Sequence, residues 1–401
     1  MSKKRLLVAQ SGGPTAVINA SLHGVIDAAA KTDTFSEVLG CRFGIEGFLE
    51  GLLVDLDSLD PTITKRLSRT PGSALGSCRY KLADEDLPRI ASLFEKLAIG
   101  YLVMIGGNDT MDTAHRIEAY CRENGLPVAA VGVPKTVDND LFGTDHTPGY
   151  PSAARYIALS VRQAGRLAAD MQRVDRFAVF QTVGRDAGWL AAAAALPKDR
   201  PDDAPHLIYL PERPVNREKL IQDVESVIRR VGWCYVVVGE GTRLDDGSPL
   251  SGAASRDNFA NTEYGAMGGS SAALALHALV SEATGYRGEF QITESLPMCA
   301  DDRVSEVDRD EAFRCGATAV KLIANGESGV MVSIDRLSDD PYHAQMTTVP
   351  LESVAVRAKP MPESFLTNDG WVSEQFLRYL RPLVGTLPEY SVLDAFVREV
   401  R

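Results

Sequence analysis

The feature that most constrains the fold of this chain is a regular alternation of short apolar runs with helical stretches. The first series begins with RLLVAQ and continues with a helix from about Ala16 to Ala30, the run YLVMIGG, a helix from Met111 to Glu123, and PVAAVGVP. Alternation of this kind predicts a parallel sheet covered by helices, and such sheets bind their ligands at the carboxyl ends of the strands.

A second series of the same kind follows Pro151. It contains a helix from about Ser152 to Gln172, RFAVFQTV, a helix from Ala187, HLIYLP, a helix from Arg217 to Val231, and CYVVVGEG. The 401 residues are too many for one core of ordinary size. We therefore predict an α/β protein with two Rossmann-like three-layer domains, mostly parallel sheets, and an active site in the cleft between them.

Composition argues against several other classes of protein. The chain is 45% hydrophobic and 24% charged, which is typical of globular proteins. Its apolar runs are shorter than the roughly 18 residues of a membrane span, and its start is unlike a secretory signal, so we expect a cytoplasmic protein. The net charge of -12 argues against nucleic-acid or membrane partners. The six cysteines have no CxxC or CxxH spacing, which argues against a zinc site or disulfides.

The first candidate motif is QSGGPTAVINA, in which a strand ends at Ser11, Gly12 and Gly13 and a helix is expected to follow directly. Paired glycines let the backbone approach a ligand closely, and the free amides of a helix start favour an anion. A purely steric reason for the two glycines is the alternative. The motif is neither GxGxxG nor a Walker A loop, which disfavours ordinary dinucleotide or P-loop chemistry.

The second motif is GGNDT, from Gly106 to Thr110, again between an apolar strand and a helix. The Asp109 carboxylate occupies a position suited to phosphate-bound metal, and Thr110 can cap the helix or donate to an oxygen. A structural role is also open, because Asn and Asp are common helix caps.

The third motif, PKTVDND from Pro134 to Asp140, is the most informative because it places one lysine and two acids at a strand end. Phosphoryl transfer from a polyanion needs a cation for the transferred group, a carboxylate that takes the hydroxyl proton, and a second acid near the metal. Turns rarely need all three, so the motif favours phosphotransferase chemistry.

Together these motifs resemble those of the phosphofructokinases, and more closely those of the pyrophosphate-dependent branch. They occur along nearly the whole chain in the order QSGGPTAVINA, TPGSALGSCRYK, GGNDT, PKTVDND, VGRDAGWLA, VVVGEG, SEVDRDEAFRCGATAV and PLESVA. The resemblance implies reversible transfer of a phosphoryl group from pyrophosphate to the 1-hydroxyl of fructose 6-phosphate. It also implies Mg²⁺ as the cofactor and a place in glycolysis.

The resemblance assigns roles residue by residue. It implies that Asp138 is the base, and that the other catalytic residues are Lys135, Asp109, Asp140 and Arg185. Asn108 and Asp109 would hold the metal. The donor would be bound by Gly12, Gly13, Arg79, Lys81, Gly107 and Thr110. The acceptor would be bound by Thr136, Val137, Arg176, Val183, Gly184, Glu240 and Arg287.

In the family, a basic residue at the position of Arg176 reaches the sugar phosphate from a neighbouring subunit, which implies a homodimer or homotetramer. The implied donor domain comprises residues 1–150 with about 299–350. The implied sugar-phosphate domain comprises residues 151–298 with about 351–401.

Two residues favour pyrophosphate over ATP. The positions that match Asp109 and Lys135 are usually glycine in ATP-using relatives. A carboxylate at Asp109 would crowd and repel the inner phosphate of a nucleotide, whereas Lys135 can offset the charge of pyrophosphate. The argument needs the pair, because some ATP-using relatives carry the lysine alone.

The chain departs from the family pattern at three places. Asn108 replaces the usual acid at the metal position, and Val183 replaces the methionine of the MGR motif. Pro297 and Met298 stand where the family has a Gln-Arg pair that holds the 6-phosphate. Loss of one charged hydrogen bond costs roughly 1.5 to 3 kcal/mol.

These departures leave three functional hypotheses open. Arg287, Arg303 or Arg176 could take over the phosphate contact, which keeps fructose 6-phosphate as the acceptor. Alternatively, the acceptor is a different sugar, sugar phosphate or polyol. The third hypothesis is a weakly catalytic member that binds a metabolite, which the retained catalytic residues disfavour.

Overall fold

A computed structural model describes residues 3–252, 255–256, 262–263, 270–355 and 357–393. Within these residues the strands are β1 (Lys4–Gln10), β2 (Phe35–Cys41), β3 (Leu53–Asp55), β4 (Ile99–Gly106), β5 (Ala129–Pro134), β6 (Phe177–Thr182), β7 (Leu207–Tyr209), β8 (Cys234–Gly239), β9 (Ser255–Arg256), β10 (Thr262–Glu263), β11 (Gly288–Ile292), β12 (Val330–Asp339) and β13 (Tyr342–Pro350).

The α-helices of the same residues are α1 (Ile18–Ala29), α2 (Gly44–Leu49), α3 (Pro61–Leu67), α4 (Asp86–Lys96), α5 (Asn108–Glu123), α6 (Tyr150–Met171), α7 (Trp189–Ala193), α8 (Arg217–Val231), α9 (Ala272–Thr284), α10 (Glu306–Ala324), α11 (Leu351–Ala355) and α12 (Glu374–Val384). Short 3₁₀ helices occur at Leu296–Met298, Asp301–Arg303 and Glu363–Phe365. In the described part of the chain, no helix combines the length and apolar character that crossing a membrane requires.

The larger sheet has seven strands in the order β13-β12-β5-β4-β1-β2-β3. Its central pairs are parallel, and only the outer pairs β12–β13 and β2–β3 are antiparallel. Helices α1 and α10 pack on one face, and α2, α4, α5 and α11 pack on the other. The central strands are therefore buried on both faces, which explains their nearly continuous apolar sequences.

The smaller sheet has four parallel strands in the order β11-β6-β8-β7. Helices α6, α7 and α12 cover one face, and α8 and α9 cover the other. Two three-layer units with mostly parallel sheets result, so the predicted fold class is confirmed.

Two helix starts differ from the sequence prediction in a way that matters for the site. The helix expected from Ala16 begins at Ile18, because an irregular segment follows β1. The helix expected from Met111 begins at Asn108. Apolar periodicity starts only at Met111, whereas the polar side chains before it are suited to the positive end of the helix dipole.

Candidate active site

The carboxyl ends of strands from both sheets meet at one cleft with a cavity volume of about 280 Å³. Strands β1, β4 and β5 contribute from the larger sheet, and β6, β8 and β11 contribute from the smaller one. The residues expected at the site that line this cleft are Gly12, Gly13, Arg79, Gly107, Asn108, Asp109, Thr110, Lys135, Thr136, Val137, Asp138, Asp140, Val183, Gly184, Arg185 and Glu240.

The loop after β1 brings backbone and a lysine together. Gly12 has φ of +76°, and a Cβ atom there would lie 3.2 Å from Lys135 Nζ. Lys135 Nζ donates a hydrogen bond of 2.5 Å to the carbonyl oxygen of Gly13. The sequence prediction that a helix follows these glycines directly is wrong, since α1 begins five residues after Gly13. The loop itself, and not the start of α1, therefore lines the cleft at this point, and its Gly12 N–H donates to the carbonyl oxygen of Cys78 at 3.2 Å.

The start of α5 supplies the helix terminus that the cleft needs. Gly107 is the residue before the helix, and Asn108 and Asp109 form its first turn. Unpaired amides and the helix dipole at such a terminus attract anions. Asn108 Nδ2 donates to Asp140 Oδ2 at 2.9 Å, which orients the amide. Its Oδ1 atom is buried and has no hydrogen-bond partner among the described residues.

The turn after β5 carries the titratable groups. Burial is the main cause that raises the pKa of Asp138 to about 7; Asp140 and Glu240 contribute to the rise, while Arg185 and Lys135 oppose it. Burial also raises the pKa of Asp140. Burial lowers the pKa of Lys135 to about 8, against the effect of the two carboxylates. A carboxylate with a pKa near neutrality can accept a proton efficiently at physiological pH.

The wall formed by the smaller sheet is organised by one carboxylate. Glu240 follows β8, and its Oε1 accepts hydrogen bonds from the backbone N–H groups of Gly184 and Arg185, at 3.1 and 2.8 Å. Arg185 has a positive φ of 52°, and these two bonds fix the turn that presents its side chain. The observed contacts of Glu240 Oε1 are therefore with backbone amides.

Three expected site residues lie outside the cleft within one chain. Lys81 is exposed. Arg176 and Arg287 precede β6 and β11, at the opposite ends of these strands from the cleft. At about 3.3 Å per residue, the six residues of β6 span roughly 20 Å. Arg287 Nε pairs with Asp175 Oδ1 at 2.8 Å.

Other residues at the cleft escaped the sequence reasoning. Glu294 and Ser295 line it just beyond β11, as do Ser11, Cys78, Tyr80 and Thr113 elsewhere. Met298, singled out from the sequence only because it stands where the family has an arginine, lies against the glycine loop. A Cβ atom on Gly13 would be 2.5 Å from Met298 Cε. The position of Glu294 after a parallel strand was the signal that could have identified it.

The candidate Arg303 is not among the residues that line the cleft. Its Nη1 donates to Ser160 Oγ at 2.8 Å, and its guanidinium stacks on the Tyr156 ring at 4.7 Å, both on α6.

The cleft thus combines anion-binding amides, cationic side chains and a carboxylate able to act as a base. These are the components of phosphoryl transfer from a polyanionic donor to a hydroxyl group, in which positioning and electrostatic stabilisation supply most of the catalysis.

Comparison with known proteins gives a consistent result. Residues 5–323 match the family described as Phosphofructokinase. Over 392 residues the chain is 39% identical to the pyrophosphate-fructose 6-phosphate 1-phosphotransferase of Xanthomonas campestris, covering 96% of this chain and 92% of that protein. The crystal structure of the pyrophosphate-dependent phosphofructokinase from Nitrosospira multiformis is 34% identical, with a TM-score of 0.87 and coverage of 97% and 94%. A sulfofructose kinase of Alkalicoccus urumqiensis is 33% identical, with 88% of each chain covered.

Proposed function

Because the chain belongs to the phosphofructokinase family, we propose that it reversibly transfers a phosphoryl group from pyrophosphate to the 1-hydroxyl of fructose 6-phosphate. The observation that carries the proposal is that Asp109, at the start of α5, lines one cleft with Lys135 and Asp138, on the turn after β5. The names of the relatives from Xanthomonas campestris and Nitrosospira multiformis support the same donor and reaction.

In this reaction Asp138 removes the proton from the acceptor hydroxyl as that oxygen attacks the terminal phosphorus of pyrophosphate. The P–O bond to the leaving phosphate breaks, and negative charge accumulates on the transferred and leaving groups. Lys135 and Arg185, together with the amides at the start of α5, stabilise this charge. Burial keeps the affinity of Asp138 for protons high enough for the transfer.

The residues at the start of α5 fit a Mg²⁺ ion that binds with the donor. Asn108 presents a buried Oδ1 atom without a partner in the described part of the chain, and Asp109 supplies a carboxylate beside it. No group of three or more His, Cys, Asp or Glu side chains that could hold a metal occurs among the described residues. Mg²⁺ commonly uses one or two protein oxygens together with substrate phosphates, so these two suffice. Bound there, it would neutralise phosphate charge.

The choice of pyrophosphate follows from the same elements. The Asp109 carboxylate lies in the first turn of α5, where a nucleotide's inner phosphate would approach, and Lys135 lies behind the glycine loop. Like charges brought together in a partly buried cleft repel strongly, so a longer polyanion is disfavoured. We assign donor binding to residues 1–150 with about 299–350, and sugar-phosphate binding to 151–298 with about 351–401.

A homodimer or homotetramer is part of the proposal. Arg176 cannot reach the cleft of its own chain, and its Nε atom is buried without a partner among the residues described. Exposed apolar side chains lie nearby at Leu167, Met171 and Val174. A second copy that covers this surface could receive Arg176 in its own acceptor site. We also propose that the enzyme acts in the cytoplasm, in glycolysis.

A second candidate acceptor is a sugar with less negative charge at the end remote from the reacting hydroxyl. Met298 and Glu294 both line the cleft. Met298 stands at the position of the arginine in the Gln-Arg pair that contacts the phosphate in the family pattern. A sulfonate carries one negative charge, whereas a phosphate monoester carries nearly two at neutral pH. The relative named sulfofructose kinase makes a sulfonated sugar the specific alternative.

The test is an assay of the purified chain with Mg²⁺ and either pyrophosphate or ATP as donor. Fructose 6-phosphate, 6-deoxy-6-sulfofructose and fructose are compared as acceptors by kcat/KM. We expect turnover with pyrophosphate and preference for fructose 6-phosphate. Turnover with ATP alone would overturn the donor assignment, and preference for the sulfonated sugar would establish the second candidate.

A further inference from the structure

Lys359, far along the chain from the catalytic motifs, contacts the turn that carries Asp138 and Asp140. Its Nζ donates three hydrogen bonds, to Asn139 Oδ1 at 3.1 Å and to the carbonyl oxygens of Thr144 and Asp145 at 3.2 and 2.8 Å. An ammonium group has three donors, so this set uses all of them.

The backbone around Lys359 joins the same turn. Its N–H donates to the carbonyl oxygen of Asp140 at 2.7 Å, and Ala358 forms an antiparallel bridge with Leu141. Lys359 Nζ also lies 5.0 Å from the centre of the Trp189 ring. The backbone and the side chain of Lys359, which is not among the residues that line the cleft, therefore both hold this turn.

The contact of Lys359 with Asn139 matters because the backbone conformation of Asn139 determines where the side chains of Asp138 and Asp140 point. Asn139 has a φ of 56°, in the left-handed region that Asn tolerates better than most residues, and it is fully buried. Asp138 and Asp140, on either side of it, both line the cleft. The amide of Asn139 is held at both ends, because Nδ2 donates to Tyr379 Oη and Oδ1 accepts from Thr147 N–H.

We propose that Lys359 is a positioning residue, which locks Asn139 in its left-handed conformation and thereby holds both carboxylates in the cleft. The proposal rests on the proposed function, since it assigns Asp138 as the base. Lys359 acts through Asn139 and touches no substrate. Burial lowers the pKa of Lys359 to about 7, and Arg336 acts in the same direction, while Asp145 and Asp140 oppose the shift.

Lys198 provides a matched control elsewhere in the molecule. Its Nζ also donates to two backbone carbonyl oxygens, those of Asp203 and Pro205, and lies 5.7 Å from the Trp371 ring centre. Both lysines are half-buried. Lys198 is not among the residues that line the cleft, so replacing it removes comparable contacts without touching the catalytic turn.

The experiment compares Lys359→Met and Lys198→Met in the full chain, with kcat and KM measured for pyrophosphate and fructose 6-phosphate. We expect kcat of Lys359→Met to fall on the order of tenfold or more, with both KM values within about threefold of wild type, because misplacing a base mainly affects the chemical step. Lys198→Met should lose thermal stability to a similar degree but keep its kcat.

Two outcomes would overturn the proposal. In the first, Lys359→Met has the same kcat as Lys198→Met; in the second, Lys359→Met changes KM but not kcat. If Lys359→Met does not fold, Tyr379→Phe removes the hydroxyl partner of Asn139 and should lower kcat in the same direction, and an unchanged kcat there rejects the idea. If the wild type turns over only with ATP, the assignment of pyrophosphate as the donor is wrong. The kcat values of Lys359→Met and Lys198→Met are then compared with ATP as the donor, so the role of Lys359 is still tested.

Discussion

At the scale of single residues, burial sets the chemistry of the cleft by changing the proton affinity of its charged groups. It raises the pKa of Asp138 to about 7 and lowers that of Lys135 to about 8. Both groups therefore exchange protons near neutral pH, whereas the ordinary pKa values of an aspartate and a lysine lie far from neutrality. A base with this pKa is ionised only above about pH 7, so kcat/KM should fall as the pH decreases through that value.

Replacement of Asp138 tests its role as the base. We expect Asp138→Asn to lower kcat by roughly 10²- to 10⁴-fold, because general base catalysis contributes about that much, with little change in the KM for pyrophosphate. Steady-state kinetics measure both constants. Asp246→Asn, at an exposed loop position, is the control and should behave as wild type. Activity of Asp138→Asn within a few-fold of wild type would contradict the assignment.

The same substitution makes a prediction about stability. The pKa of Asp138 is higher in the folded than in the unfolded chain, so ionisation of this residue opposes folding. The contribution of Asp138 to the free energy of unfolding is fully present below its ordinary pKa and is lost as the pH rises through about 7. In the absence of ligands, Asp138→Asn should therefore melt at a higher temperature than wild type at pH 8. The difference should shrink at pH 5. Calorimetric melting curves at the two pH values measure it, and a lower melting temperature at pH 8 would contradict it.

At the scale of elements, short segments beyond the strands decide which acceptor fits. The 3₁₀ helix Leu296–Met298 follows β11 and brings Met298 against the glycine loop. No strand or helix propensity identifies such a segment in advance. The family resemblance implies a cationic phosphate contact at this position, where this chain has the thioether of Met298.

Restoring that contact tests the role of the 3₁₀ helix. The double variant Pro297→Gln with Met298→Arg should lower the KM for fructose 6-phosphate on the order of tenfold, since one charged hydrogen bond to a phosphate is worth roughly 1.5 to 3 kcal/mol. The KM for pyrophosphate should stay constant. Leu296→Arg adds the same charge to the same helix at an exposed position and is the matched control. An equal improvement in the control would show a general effect of charge.

At the scale of the whole molecule, the position of Arg176 bears on whether two chains share an active site. Arg176 lies at the far end of β6 from the cleft, so within one chain it is separated from Asp138 by roughly the length of that strand. If it serves the acceptor site of a second copy, each complete site needs residues of both subunits.

Mixing two inactive variants tests this sharing. Asp138→Asn and Arg176→Met are each expected to be impaired, and reassociation of the mixture should restore activity to about a quarter of wild type for a dimer with two shared sites. Rates are measured before and after dissociation and reassociation. Mixing Asp138→Asn with Lys135→Met, both on one side of the site, is the control and should restore nothing. No recovery in either mixture would contradict a shared site.

The fold class, the family and the segments that meet at the cleft could all be predicted from local sequence patterns. Apolar alternation identified the strands, and the carboxyl ends of parallel strands meet at one edge whatever the details of packing. That is why Asp109 of the GGNDT motif could be grouped with Lys135 and Asp138 of the PKTVDND motif.

The other features of the cleft depend on contacts between residues that are far apart in the chain. The contact between Lys359 and Asn139 joins residues 220 positions apart, and no local pattern encodes such a pair. The shifted pKa values of Asp138 and Lys135 arise from burial by both domains. Likewise, the backbone hydrogen bonds of Glu240 and the distance of Arg176 from the cleft depend on how the second sheet faces the first. Local sequence sets which groups are present, whereas long-range packing sets their surroundings and partners.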